Sequence, residues 1–146
     1  MAEKSRLALL AEIAGERRDA AGKRLGRALA ALREAEARLA LLARYRDEYE
    51  RRLANSGKAG MTAQDLRNFR EFLDRLGEAI AQQRAEIEGL ERGVESARGG
   101  WMSERARMQS FDVLAKRAAT AQATSEERRL QKLLDEFSGR RALAGP

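Results

Sequence analysis

Apolar residues recur along this chain at the spacing of a coiled coil. In the first half, Leu25, Leu32, Leu39 and Leu53 fall every seven residues, with Arg46 filling the one gap. A second row, offset by three, holds Leu7, Ala14, Ala21, Ala28, Ala35, Leu42 and Tyr49. The second half is more regular. One row runs Leu66, Leu73, Ile80, Ile87, Val94, Trp101, Met108 and Ala115; the other runs Phe69, Leu76, Gln83, Leu90, Ala97, Glu104, Phe111 and Ala118. Heptads sustained this long specify helices that pair along a seam. The pattern predicts a helix over about residues 3–54, a loop over about 55–61 and a second helix over about 63–138.

The loop is expected at Asn55-Ser-Gly-Lys-Ala-Gly60, the interior cluster of turn formers. Thr62 followed by Asp65 reads as an N-cap with an acid in the first turn of the second helix. Two long helices joined by a short loop lie antiparallel. The fold class is therefore all-α: a single antiparallel coiled-coil hairpin whose second helix extends beyond the first. At a rise of 1.5 Å per residue the helices would measure roughly 75–80 Å and roughly 110 Å.

One register sets Ala21 against Trp101, Leu25 against Ala97, Ala11 against Phe111 and Arg18 against Glu104, so that small meets large and the two charges meet each other. The next register along is nearly as good. Gly22 and Gly26 fall near Gly99 and Gly100 in the first register, which reads either as room for Trp101 or as a soft point. The heptads fade over 118–124, and the tail from about residue 119 is expected to pack loosely. Ser125-Glu-Glu then opens a separate stripe of Leu130, Leu133, Leu134 and Phe137 with no partner in the chain, a candidate docking element.

Composition narrows the function. Of 146 residues, 36% are charged and 5% aromatic, and the one Pro is the last residue. There is no Cys and no His, which removes thiol nucleophiles and the commonest general base and metal ligand. Gly57-Lys-Ala-Gly60 lacks the spacing of a phosphate loop. No catalytic residue, metal site, cofactor or small-molecule substrate is expected. The net charge is +6, but acids interrupt every basic run, as in Arg44-Tyr-Arg46-Asp-Glu48. That favours a solvated, ion-paired face over nucleic-acid binding. No apolar run approaches the ~20 residues of a membrane span, nor is there an N-terminal signal-peptide pattern, so a cytoplasmic protein is expected, meeting the membrane only through protein partners.

Tyr45, Phe72 and Ala79 occupy positions beside the seam, where a two-stranded coil covers a side chain only in part. Tyr45 and Phe72 are expected to leave apolar surface exposed near the loop, as partner sites do. Leu42, Tyr49 and Leu76 lie at the same level but in the seam itself.

Leu41-Leu-Ala-Arg-Tyr45-Arg-Asp-Glu-Tyr49, then Asn68-Phe-Arg-Glu-Phe72-Leu-Asp-Arg-Leu76-Gly-Glu-Ala79-Ile80-Ala-Gln-Gln83, Trp101 and Asp135-Glu-Phe137 resemble the flagellar export protein FliJ family across essentially the whole chain. The resemblance implies an antiparallel coiled coil similar to the stalk of rotary ATPases. It further implies a cytoplasmic protein, peripheral at the inner membrane, that joins the hexameric export ATPase to the membrane export gate and engages export chaperones. It assigns gate contact to Leu42, Tyr45, Tyr49, Phe72, Leu76 and Ala79, with Arg38 and Gln83 at the margin. At the end away from the loop, Arg6, Arg17, Arg18, Arg105 and Arg107 would face the ATPase ring. The equivalent stalk of a virulence-type secretion system and a general export escort are the competing readings.

Overall fold

The computed structural model describes residues 2–143 as two helices, α1 (Ala2–Ala59) and α2 (Ala63–Leu143), with no strand among the described residues. Both are rich in Ala, Leu, Glu and Arg, the strongest helix formers, and neither contains Pro. The helices pack against each other in antiparallel sense, and α2 is the longer.

The connection is tighter than the turn-former cluster predicts. α1 continues through Asn55-Ser-Gly57 to Ala59, so the expected loop of 55–61 shrinks to the three residues before Ala63. Gly60, at φ 84°, supplies the left-handed residue that ends a helix without a Cβ clash. One such residue suffices, and Asn55, Ser56 and Gly57 each lower helix propensity by less than about 1 kcal/mol. Keeping the helix lets half-buried Ser56 prolong the row of Leu42 and Tyr49. Across the turn, the Asp65 backbone N–H donates to Thr62 Oγ1 at 3.1 Å, the N-cap bond expected from the sequence. α2 also runs past the expected end near residue 138, with Arg140 and Arg141 in its last turn, where cations suit the helix dipole.

Contacts divide the chain into two compact units. The first, Ala21–Trp101, contains the turn. Its core is asymmetric: α1 contributes Ala21 and Ala35, the latter 1% exposed, while α2 contributes Leu76, Ile80, Ile87 and Val94, with Ile80 at 2%. Gln83 Nε2 donates to the carbonyl oxygen of Ala35 at 3.0 Å, so this polar seam residue is satisfied by backbone of the opposite helix. A Cβ built on Gly22 would lie 3.4 Å from Trp101 Cδ1 and Nε1. That places Trp101 at the level of Ala21 and Gly22, the first of the two registers. The register one heptad away would bring Trp101 to Ala14 instead. The contact also separates the glycines: Gly22 makes room for the indole, whereas Cβ atoms at Gly26, Gly99 and Gly100 would meet nothing within 4 Å.

The second unit combines residues 2–20 of α1 with 102–143 of α2. Ala14 is its buried core residue, and a Cβ on Gly15 would lie 3.9 Å from Met108 Sδ, the same register again. The expected pairing of Arg18 with Glu104 is not made. Arg18 Nη2 instead pairs with the adjacent Asp19 Oδ1 at 2.9 Å, and Glu104 Oε2 is buried without a hydrogen-bond partner. The reason is local competition for the guanidinium. Asp19, one residue away, takes both the Nε and the Nη2 donors of Arg18 at 3.1 and 2.9 Å and turns the guanidinium from the opposite helix.

Throughout both units, the rows read from the sequence form the interface. Every seam position from Leu7 to Leu53 and from Leu66 to Ala118 is buried or half-buried. Beyond Gln122, every described residue of α2 is exposed.

Candidate functional site

Near the turn, Tyr49 is the centre of an aromatic group built by both helices. Its ring lies 4.4 Å from that of Phe72 at 42° and 6.0 Å from that of Phe69 at 59°. Such tilted pairs contribute about 0.5–1.5 kcal/mol each beyond their burial. The Arg52 guanidinium sits 5.3 Å over the Tyr49 ring, a cation–π contact that places positive charge beside the aromatics. Tyr49 itself is half-buried in the seam, but Phe72 is 40% exposed and Tyr45 45% exposed. Leu41, at 42%, adds apolar surface on the same stretch of α1 as Tyr45.

The eight residues singled out near the turn therefore separate by role. Tyr45 and Phe72 present surface. Leu76 is buried in the core, and Leu42, Tyr49 and Ala79 are half-buried. Gln83 spends its amide on the Ala35 carbonyl. Arg38 is exposed and makes a loose pair with Glu34 at 3.9 Å on its own helix. An exposed pair of this kind contributes at most a few tenths of a kcal/mol, which leaves Arg38 available to a partner.

Leu41 was missed by heptad reasoning because it sits in neither seam row. The signal was present in the unbroken run Leu39–Ala43, which is wider than a two-row seam needs. The same holds in the second unit. Leu9, Leu10 and Ile13 of α1 and Val113 and Leu114 of α2 are exposed, and none belongs to a seam row.

In that second unit, Arg17 and Arg107 come from different helices and line one groove of about 180 Å³ with Leu10, Ile13, Ala14 and Phe111. The groove thus sets apolar side chains beside two guanidinium groups. Arg6 and Arg105 are exposed on their helices, and Arg18 is engaged by Asp19. Further along α2, Leu130, Leu133, Leu134 and Phe137 are 56–64% exposed.

Among the described residues, no group of three His, Cys, Asp or Glu side chains could hold a metal ion. No described helix is long and apolar enough to cross a membrane. The features available for recognition are apolar side chains flanked by arginines.

The flagellar FliJ protein family matches residues 3–145. A flagellar FliJ protein of Escherichia coli (strain K12) is 32% identical over 146 residues, covering 100% of this chain and 99% of the relative. A flagellar FliJ protein of Salmonella typhi is 30% identical over the same 146 residues, with the same coverage of both chains. With the family match running over residues 3–145 and both relatives covered almost end to end, the chain belongs to the flagellar FliJ family.

Proposed function

We propose that this flagellar export component acts in the cytoplasm, at the inner face of the membrane, as a non-enzymatic coupling element. It binds the hexameric export ATPase, promotes assembly and activity of the ring, and links the ring to the membrane export gate. Export chaperones are further partners. The observation that carries this reading is that two aromatics near the turn, Tyr45 and Phe72, are exposed, with Phe72 stacked against the half-buried Tyr49. Aromatic side chains anchored on a rigid scaffold are the usual hot spots of protein interfaces. This pair, with Leu41 and Arg38 beside it, is the gate-facing surface. The groove between Arg17 and Arg107 is the ring-facing surface, where two guanidinium groups suit carboxylates of a partner.

The test separates the two surfaces. ATP hydrolysis by the cognate ATPase is measured with and without the protein, alongside capture of the protein by the cytoplasmic part of the gate. Tyr45→Ala/Phe72→Ala should weaken gate capture at least about tenfold, the loss expected of anchor residues, while leaving stimulation of the ATPase intact. Arg17→Ala/Arg107→Ala should do the reverse. Absence of stimulation by the wild-type protein at saturation overturns the ring-activating part. Undiminished gate capture by the aromatic variant overturns the assignment of that surface.

A further inference from the structure

The α2 segment beyond Gln122 is helical to Leu143 yet has every described side chain exposed, including Leu130, Leu133, Leu134 and Phe137. The segment continues a packed helix, but no residue of this chain covers its apolar stripe among the described residues. A shallow groove of about 360 Å³ runs along it, lined by Leu130, Leu133, Leu134, Glu136, Phe137 and Arg140.

The pattern of charge around the stripe identifies the partner. Residues seven apart share a row on a coiled-coil helix. The central row holds Leu130 and Phe137. One flanking row reads Glu126, Leu133, Arg140; the other reads Glu127, Leu134, Arg141. Each flanking row is therefore acid, leucine, base in chain order. Such a row is complementary to its own reversed copy. When two segments lie antiparallel about a two-fold axis passing between Leu133 and Leu134, Glu126 meets Arg140 of the other copy and Glu127 meets Arg141. Leu133 and Leu134 then meet their counterparts, and Leu130 meets Phe137. A parallel pair would stack acid on acid and base on base, which is destabilising.

We infer that the α2 tail, residues 126–141, is a self-association surface that pairs antiparallel with the same segment of a second copy of this chain. A two-fold interface needs a surface complementary to itself, and these three rows meet that requirement in the order of their apolar and charged residues. Four apolar side chains per copy make a small interface, below the roughly 1,200 Å² typical of stable complexes. The association is accordingly weak, reversible and dependent on concentration.

Sedimentation of the full-length protein from micromolar to near-millimolar concentration tests this directly. The wild type should pass from the monomer mass towards twice that mass. Glu126→Arg/Glu127→Arg turns both flanking rows into base, leucine, base, and Arg140→Glu/Arg141→Glu turns them into acid, leucine, acid. Each variant alone should remain monomeric, its dissociation constant raised at least about tenfold by like charges across the interface. Mixed in equal amounts, the two variants become complementary and should dimerise. That rescue cannot arise from misfolding of either variant. A wild type that stays monomeric throughout overturns the proposal and gives the stripe to a different protein. Variants that dimerise as the wild type does, or a mixture that stays monomeric, overturn the antiparallel pairing.

Discussion

Gly22 and Gly26 stand one turn apart on the same helix, and replacing each with Ala separates backbone propensity from packing. In a helix interior, Gly→Ala gains about 0.8–1 kcal/mol wherever the new methyl is tolerated. At Gly26 the added Cβ would meet nothing within 4 Å, so the full gain should appear. For a chain of this size it corresponds to a rise of about 2–4 °C in melting temperature. At Gly22 the Cβ would stand 3.4 Å from Trp101 Cδ1 and Nε1, at the edge of close contact, and the half-buried indole must yield by a fraction of an ångström. Part of the propensity gain is then spent on displacing the ring, and Gly22→Ala should stabilise less than Gly26→Ala. The assay is urea unfolding followed by helical circular dichroism together with indole emission. Trp101 is the chain's one tryptophan, so indole emission reports the surroundings of this ring. Native-state emission should shift in Gly22→Ala and stay unchanged in Gly26→Ala. The reasoning fails if Gly26→Ala does not raise the unfolding midpoint, or if Gly22→Ala leaves the emission unaltered.

Other perturbations probe the seam and the turn. Glu104→Leu removes a buried carboxylate oxygen that has no partner and should stabilise the protein by about 1–3 kcal/mol in the same unfolding assay; a loss of stability would mean the carboxylate is satisfied after all. Gly60→Ala places a Cβ at φ 84° and should cost about 1–2 kcal/mol, with helicity retained. Leu76→Ala empties a core position and should cost about 2–5 kcal/mol. Tyr45→Ala, at an exposed position, should stay within about 0.5 kcal/mol of the wild type. Equal costs for these last two would erase the distinction between core and contact surface near the turn.

The seam was legible in the sequence because a heptad row is a direct image of the buried face, and even its polar members, Arg46, Gln83 and Glu104, lie at the interface. The ends of the elements were less legible. Asn55, Ser56 and Gly57 carry the stronger local turn signal, but a single left-handed Gly60 sets the turn, and local preferences of a fraction of a kcal/mol yield to continuing the helix. The Arg18–Glu104 pairing was inferred from opposed positions alone. Position does not reveal that Asp19 competes for the guanidinium from one residue away. Exposure of Tyr45 and Phe72 followed from their places beside the seam, whereas that of Leu41, Leu9 and Val113 did not, because apolar residues outside the rows have no assigned face.

The unequal division of side chains across the seam also governs which helices can pair. In the unit that contains the turn, the buried positions are Ala21 and Ala35 on α1 but Leu76, Ile80, Ile87 and Val94 on α2. At the level of Ala21 and Ala35 two copies of α1 would leave voids between methyl groups, and at the level of Ile80, Ile87 and Val94 two copies of α2 would crowd branched side chains against each other. Both faults cost stability in a close-packed interior. At these levels the seam selects an α1–α2 pair by side-chain volume over a pairing of either helix with its own copy. Mutational tolerance should be polarised in the same way, with α1 sensitive to enlargement along its alanine row and α2 sensitive to truncation.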